Sequence, residues 1–151
     1  MREIKVQFYG RAYDELMRLQ RDEETITPNP IIIRGIQVYG IVNGYHHERK
    51  HVAIVDPHTH NIIEEVDISR SSSNQAGYSQ TISIRFSDEV YNGLDRVSSE
   101  NSVPIDEIIR RGVVAYGSVQ RHKKEGRSLA VFDPSIEQLY GELSLPQITD
   151  L

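Results

Sequence analysis

The sequence predicts an α+β fold, mainly helical, in which two similar halves share one antiparallel two-stranded ribbon. Three observations predict it. The chain repeats: Ile4 to Phe8 returns as Ile82 to Phe86, Arg34 to Gly40 as Arg111 to Gly117, and Ala53 to Pro57 as Ala130 to Pro134. The offset is 78 at the first pair (Ile4 to Ile82) and 77 at the other two (Arg34 to Arg111, Ala53 to Ala130). Each half opens on a period-two apolar pattern, and each continues with two segments of helical periodicity.

Ile4, Val6 and Phe8 alternate with Glu3, Lys5 and Gln7, and Ile82, Ile84 and Phe86 alternate with Thr81, Ser83 and Arg85. That alternation places the apolar set on one face of a short strand and the polar set on the other. A first helix follows each strand. Ser87 is a good N-cap, Asp88 and Glu89 suit the first turn, Val90, Leu94 and Val97 fall at near-helical spacing, and Tyr13, Leu16 and Leu19 of the first half match Tyr91, Leu94 and Val97. Polar stretches ending in proline, Thr25 to Pro30 and Asn101 to Pro104, separate the first helices from the second.

The second helices carry Ile31, Ile32, Ile36 and Tyr39 in one half and Ile108, Ile109, Val113 and Tyr116 in the other, each set on one face. Gly35 and Gly112 sit in the middle of these faces, where a glycine weakens a helix by roughly 1 kcal/mol relative to alanine. Its presence in both copies predicts close backbone approach, with the equivalent helix of the other half as the neighbour. Tyr39 and Tyr116 read as packing residues. Beyond the helices, Val52 to Val55 and Leu129 to Phe132 each close on Asp-Pro, a turn signal, and lead to Ile62 to Ile68 and Leu139 to Leu145. Each half therefore ends in a strand, a turn and an extended segment.

At 151 residues the chain divides into halves of about 70, each near the lower limit for an independent core, so the two are expected to share one. There is no cysteine, hence no disulfide framework or thiolate metal site. No stretch has the length of a secretory signal or a membrane span, and a cytoplasmic location is the default expectation. The formal net charge of -5 means that any contact with nucleic acid must come from locally placed cations.

The order strand, helix, turn, helix, with three polar residues on the strand face, resembles the ribbon-helix-helix family of DNA-binding proteins. The second half carries the resemblance best, in the ribbon Thr81 to Ser87 and in Glu107-Ile108-Ile109-Arg110-Arg111-Gly112-Val113-Val114-Ala115-Tyr116 of its second helix. It covers about 45 residues in each half. The resemblance implies two tandem ribbon-helix-helix units in a single-chain pseudo-dimer, each with a short β extension after its second helix. Residues 1–68 form the first unit, 69–79 a polar linker, and 80–151 the second unit with a short tail from Pro146 to Leu151.

Carried over by position, the base-reading residues are Glu3, Lys5 and Gln7 from one half and Thr81, Ser83 and Arg85 from the other. Lysine and arginine donate to guanine, glutamine pairs with adenine, serine and threonine serve either, and a carboxylate can accept from cytosine. The phosphate anchors are the starts of the second helices, Asn29, Pro30 and Ile31 in one half and Ile105, Asp106 and Glu107 in the other. The resemblance thus implies a sequence-specific regulator of transcription, expected to repress, whose partner is double-stranded DNA. Its two reading faces differ at all three positions, so a non-palindromic site is expected.

Plainer readings compete. A half-buried edge strand gives the same alternation without any ligand. The basic runs His46 to His51 and Arg121 to Arg127 follow helix C-termini, where cations are favourable for dipole reasons alone, although phosphate or partner contact would use the same charges. His58 and His60 could ligate nickel, copper or zinc. The second half has Ser135 and Glu137 at the matching places, and solvated turn histidines with no metal are expected. No nucleophile-base set or phosphate-cradling glycine loop stands out, so neither catalysis nor a cofactor is expected. From another class, a protein-interaction module or antitoxin-like protein would bind a partner, or a second copy, through the β extensions.

Overall fold

The computed structural model describes residues 1–71, 78–135 and 138–143. Along the chain run β1 (Arg2–Tyr9), α1 (Gly10–Asp22), α2 (Asn29–His47), β2 (His51–Val55), β3 (Ile62–Glu65), β4 (Ser79–Phe86), α3 (Asp88–Asn101), α4 (Ile105–Lys124), β5 (Ser128–Asp133) and β6 (Gln138–Leu143). The strands make two antiparallel sheets, a ribbon of β1 and β4 and a four-stranded sheet in the order β3-β2-β5-β6. The fold is α+β and about half helical. "Mainly helical" understates the strands, because the two Asp-Pro extensions merge into one sheet.

The stretch 69–79 is also shorter as a connection than its composition suggests. Ser71 is buried, its hydroxyl donating to the Glu107 carboxylate at 2.9 and 3.1 Å from the two oxygens, and Ser79 already belongs to β4. Residues 72–77, Glu137 and the segment from 144 onward, including the tail Pro146 to Leu151, lie outside the described residues.

Repeat equivalents face one another at three levels. In the ribbon Lys5 pairs with Ser83, its own equivalent, with Glu3 opposite Arg85 and Gln7 opposite Thr81. Between the helices Gly35 meets Gly112: a Cβ on Gly35 would lie 2.7 Å from the Val113 nitrogen, and one on Gly112 would lie 2.4 Å from the Gly35 carbonyl oxygen. In the larger sheet Ala53 pairs with Ala130. Antiparallel pairing of equivalents is the local signature of two-fold symmetry within one chain. The symmetry reaches the outer strands, where Val55 pairs with Ile62 as Phe132 pairs with Leu139, and a register shift falls at the same step of both.

Local chemistry explains the element ends. The Ser87 hydroxyl accepts the Val90 N–H at 3.2 Å, capping α3, whose first turn holds Asp88 and Glu89. After the first helices the chain turns through left-handed residues at equivalent positions, Glu24 (φ 54°) and Ser102 (φ 55°). After the second helices it does so again at Arg49 (φ 61°) and Gly126 (φ 83°). Only the last of these is a glycine, the residue that adopts this conformation without a steric penalty.

One apolar core draws on both halves. Val6 and Phe8 of β1 and Ile82, Ile84 and Phe86 of β4 are buried with Leu16, Ile32, Ile109 and Val113 of the helices. Each such side chain contributes about 1.5–3 kcal/mol by leaving water. Val52, Ile54 and Leu129 present the larger sheet to this core, while Ala53, Val55, Ala130 and Phe132 gather in a second cluster. Polar contacts reinforce the exchange between halves. The Tyr116 hydroxyl donates to Glu23 just beyond α1, and Asn101 at the end of α3 donates to the Tyr39 hydroxyl at 3.2 Å. Both tyrosines are buried, and each also ties the end of the other half's first helix to its own second helix.

Candidate nucleic-acid interface

The alternation of β1 and β4 places its apolar residues in the core and leaves Glu3, Lys5, Gln7, Thr81, Ser83 and Arg85 all exposed. These six residues form three cross-strand pairs on one face, with Lys5 and Ser83 in the middle. Lys5 and Arg85 have no hydrogen bond or ion pair with any described residue. The Gln7 side chain makes only a long contact among the described residues, its Nε2 donating to the Ser79 hydroxyl at 3.4 Å. Arg2, beside this face, lies over the Tyr91 ring at 4.6 Å from its centroid.

The two helix starts differ. In α2 the first intrahelical bond runs from the Ile32 N–H to the Pro28 carbonyl, so the N–H groups of Asn29 and Ile31 precede the helical ladder and Pro30 has none. The Ile31 side chain is buried, so only its backbone could meet an anion. In α4 the Ile108 N–H bonds the Pro104 carbonyl, which leaves the N–H groups of Ile105, Asp106 and Glu107 ahead of the ladder.

The side chains of Asp106 and Glu107 would repel an anion if they stood alone. Instead Arg110 lies 3.0 Å from Asp106 and 3.1 Å from Glu107, and Arg111 lies 2.8 Å from Glu107. Burial alone would raise the Glu107 pKa, but hydrogen bonds from Arg111, Ser71 and Arg110 outweigh it and hold the carboxyl below its ordinary range.

Arg110 is the residue that sequence patterning missed. It is buried, donates to the Gln7 carbonyl oxygen of the ribbon at 3.0 Å, and lies over the Tyr9 ring at 4.9 Å from its centroid. It therefore fixes the start of α4 against β1. The signal available in the sequence is its spacing, four residues after Asp106 and three after Glu107, where helical side chains meet. Ile33 occupies the equivalent place in the first half, so this tie exists on one side only.

In the second basic run, Arg121, His122 and Lys124 each meet a carboxylate. Arg121 pairs with the buried Glu15, Lys124 lies 3.6 Å from Asp22, and His122 lies 2.9 Å from Glu64. Glu15 also meets Arg18 at 2.6 Å, and a Cβ on Gly117 would lie 2.4 Å from its Oε2, so α1 seats directly on α4 of the other half. Since α4 has 20 residues, about 30 Å of helix separates its basic end from the end that touches the ribbon. In the β2–β3 turn Asp56 accepts the N–H groups of His58 and Thr59 at 2.8 and 3.2 Å, which lowers its pKa. Asp133 and Ser135 repeat that turn at the equivalent place. No protein family, curated protein or solved structure matches the chain.

Proposed function

We propose that this chain is a sequence-specific regulator that reads double-stranded DNA in the major groove, in the manner of a ribbon-helix-helix protein whose two strands come from one polypeptide. The observation that carries this reading is the outer face of the ribbon, where three cross-strand pairs present donors and acceptors outward with Lys5 and Arg85 free of partners among the described residues. A ribbon of two strands fits the major groove, and these side-chain types match base edges there. The helix starts at Asn29 and Ile105 supply N–H groups for phosphates on either side. Repression is the expected direction of control.

The two halves of the face differ in charge as well as identity. Glu3, Lys5 and Gln7 carry a carboxylate and an ammonium, whereas Thr81, Ser83 and Arg85 carry one guanidinium and two hydroxyls. A non-palindromic target follows. Arg85→Ala is expected to lower affinity for the preferred duplex by about 1–3 kcal/mol and to relax the choice of base where it contacts. Binding of a duplex pool measured over a salt series checks the class of interaction: logarithmic affinity should fall steeply with logarithmic salt concentration. No binding at low salt would refute the DNA reading.

A protein partner is the second reading, and one observation favours it. β3 is one edge of the larger sheet, with Ile62 49% and Ile63 44% exposed. An exposed apolar edge strand is a template for strand addition by another chain. Such binding would show little of the salt dependence expected of DNA.

A further inference from the structure

We propose that His46, His51 and Glu65 form a binding site for one divalent transition cation, with zinc the best fit to the donor set. His46 comes from the last turn of α2, His51 from the first position of β2 and Glu65 from the last position of β3, so three elements converge on one point. One ring nitrogen from each histidine and one carboxylate oxygen lie within 4.8 Å of one another. His46 Nε2 is 4.0 Å from Glu65 Oε1, and His51 Nδ1 contacts that same oxygen. The two imidazole rings are 5.0 Å apart between centroids.

The His46 ring supplies a second, separate observation. Its Nε2 is buried and has no hydrogen-bond partner among the described residues, although it faces a carboxylate oxygen across a gap that a cation would close. Two imidazoles and a carboxylate suit zinc, which takes a fourth, exchangeable ligand in such sites. A cavity of about 740 Å³, also lined by Asp67 and Asn43, adjoins His46 and Glu65.

Divergence between the halves argues that the trio is a property of the first half alone. Lys123 and Ser128 stand where the second half would need the two histidines, and only Glu142 repeats a donor type. His58 and His60, the pair that the sequence pattern singles out, sit in the β2–β3 turn and are not part of the group. His46 lies about 25 Å along α2 from the start of that helix, so the cation would clamp the helix end to the sheet rather than touch the ribbon.

The test is calorimetric titration of Zn²⁺ into the intact chain, alongside thermal melts with and without the metal. The wild type should bind one Zn²⁺ per chain and melt higher when loaded. A His58→Ala, His60→Ala double variant should bind as the wild type does. A His46→Ala, His51→Ala variant should lose at least about tenfold in affinity. Glu65→Gln, which keeps the shape of an exposed strand residue, should weaken binding too and covers the case in which the double variant fails to fold. The proposal is overturned if the wild type does not bind Zn²⁺, or if binding survives in Glu65→Gln and is lost with His58 and His60.

Discussion

Gly112→Ala is expected to destabilise the fold by about 3 kcal/mol, because the added Cβ would sit 2.4 Å from the Gly35 carbonyl oxygen and 2.6 Å from its carbon. Alanine is the better helix former by about 1 kcal/mol, so packing alone must supply the loss. The obstructing atoms are backbone of the facing helix and cannot rotate aside. Gly40→Ala provides the control: a methyl group added there, in the same helix as Gly35, would meet nothing within 4 Å, and the substitution should stabilise by up to about 1 kcal/mol. Denaturant titration of both variants measures the contrast. Equal effects would mean that the α2–α4 crossing is looser than these distances imply.

Arg110→Ala should destabilise by a similar amount, about 3 kcal/mol, the low end for removing one partner of a buried ion pair. The value sits low because the Asp106 side chain is 43% exposed and is resolvated once the guanidinium is gone. Arg110→Lys keeps the charge but cannot bond Asp106, Glu107 and the Gln7 carbonyl with one planar fork, and should recover less than half of the loss. The network also has a pH dependence of fixed sign. Because the folded-state pKa of Glu107 is depressed, its contribution is fully present above the unfolded carboxyl value and is lost as pH falls through the folded one. The wild type should therefore lose more stability in acid than Arg110→Ala does.

Local elements are legible in the sequence because their signals are local. Period-two alternation locates β1 and β4, helical spacing locates the four helices, and a glycine repeated in mid-helix marks the place where α2 and α4 touch. The meeting of remote segments is not legible. Val52 to Val55 reads as a buried strand, but nothing in its continuous apolar run says that its neighbour is β5 of the other half. Ser71 reads as part of a polar connection until Glu107, 36 residues away, takes its hydroxyl. The His46, His51 and Glu65 group escapes for the same reason, since its spacing matches no ligand motif and only the junction of α2, β2 and β3 assembles it. The six ribbon residues follow from alternation and likeness, and the register adds which of them stand opposite one another.

Tyrosine positions show a further limit. Burial of Tyr39 and Tyr116 follows from their place on apolar helix faces, but their hydroxyl partners lie in the other half. Burial, then the Glu23 carboxylate, raises the Tyr116 pKa well above its ordinary value, so the phenol remains a donor throughout the neutral range. Packing residues and hydrogen-bonding residues are here the same residues.

Selection of bound duplexes from a randomised pool at low salt tests the reading ribbon most directly. The wild-type chain should enrich a single non-palindromic motif, because the two ends of the ribbon face differ, with Glu3 and Arg85 at one and Gln7 and Thr81 at the other. Repeating the selection with Arg85→Ala should erase preference at the bases nearest Arg85 and leave the rest of the motif intact. A pool that emerges without enrichment, or an enriched motif that is unchanged when Lys5 and Arg85 are both replaced by alanine, would contradict the account.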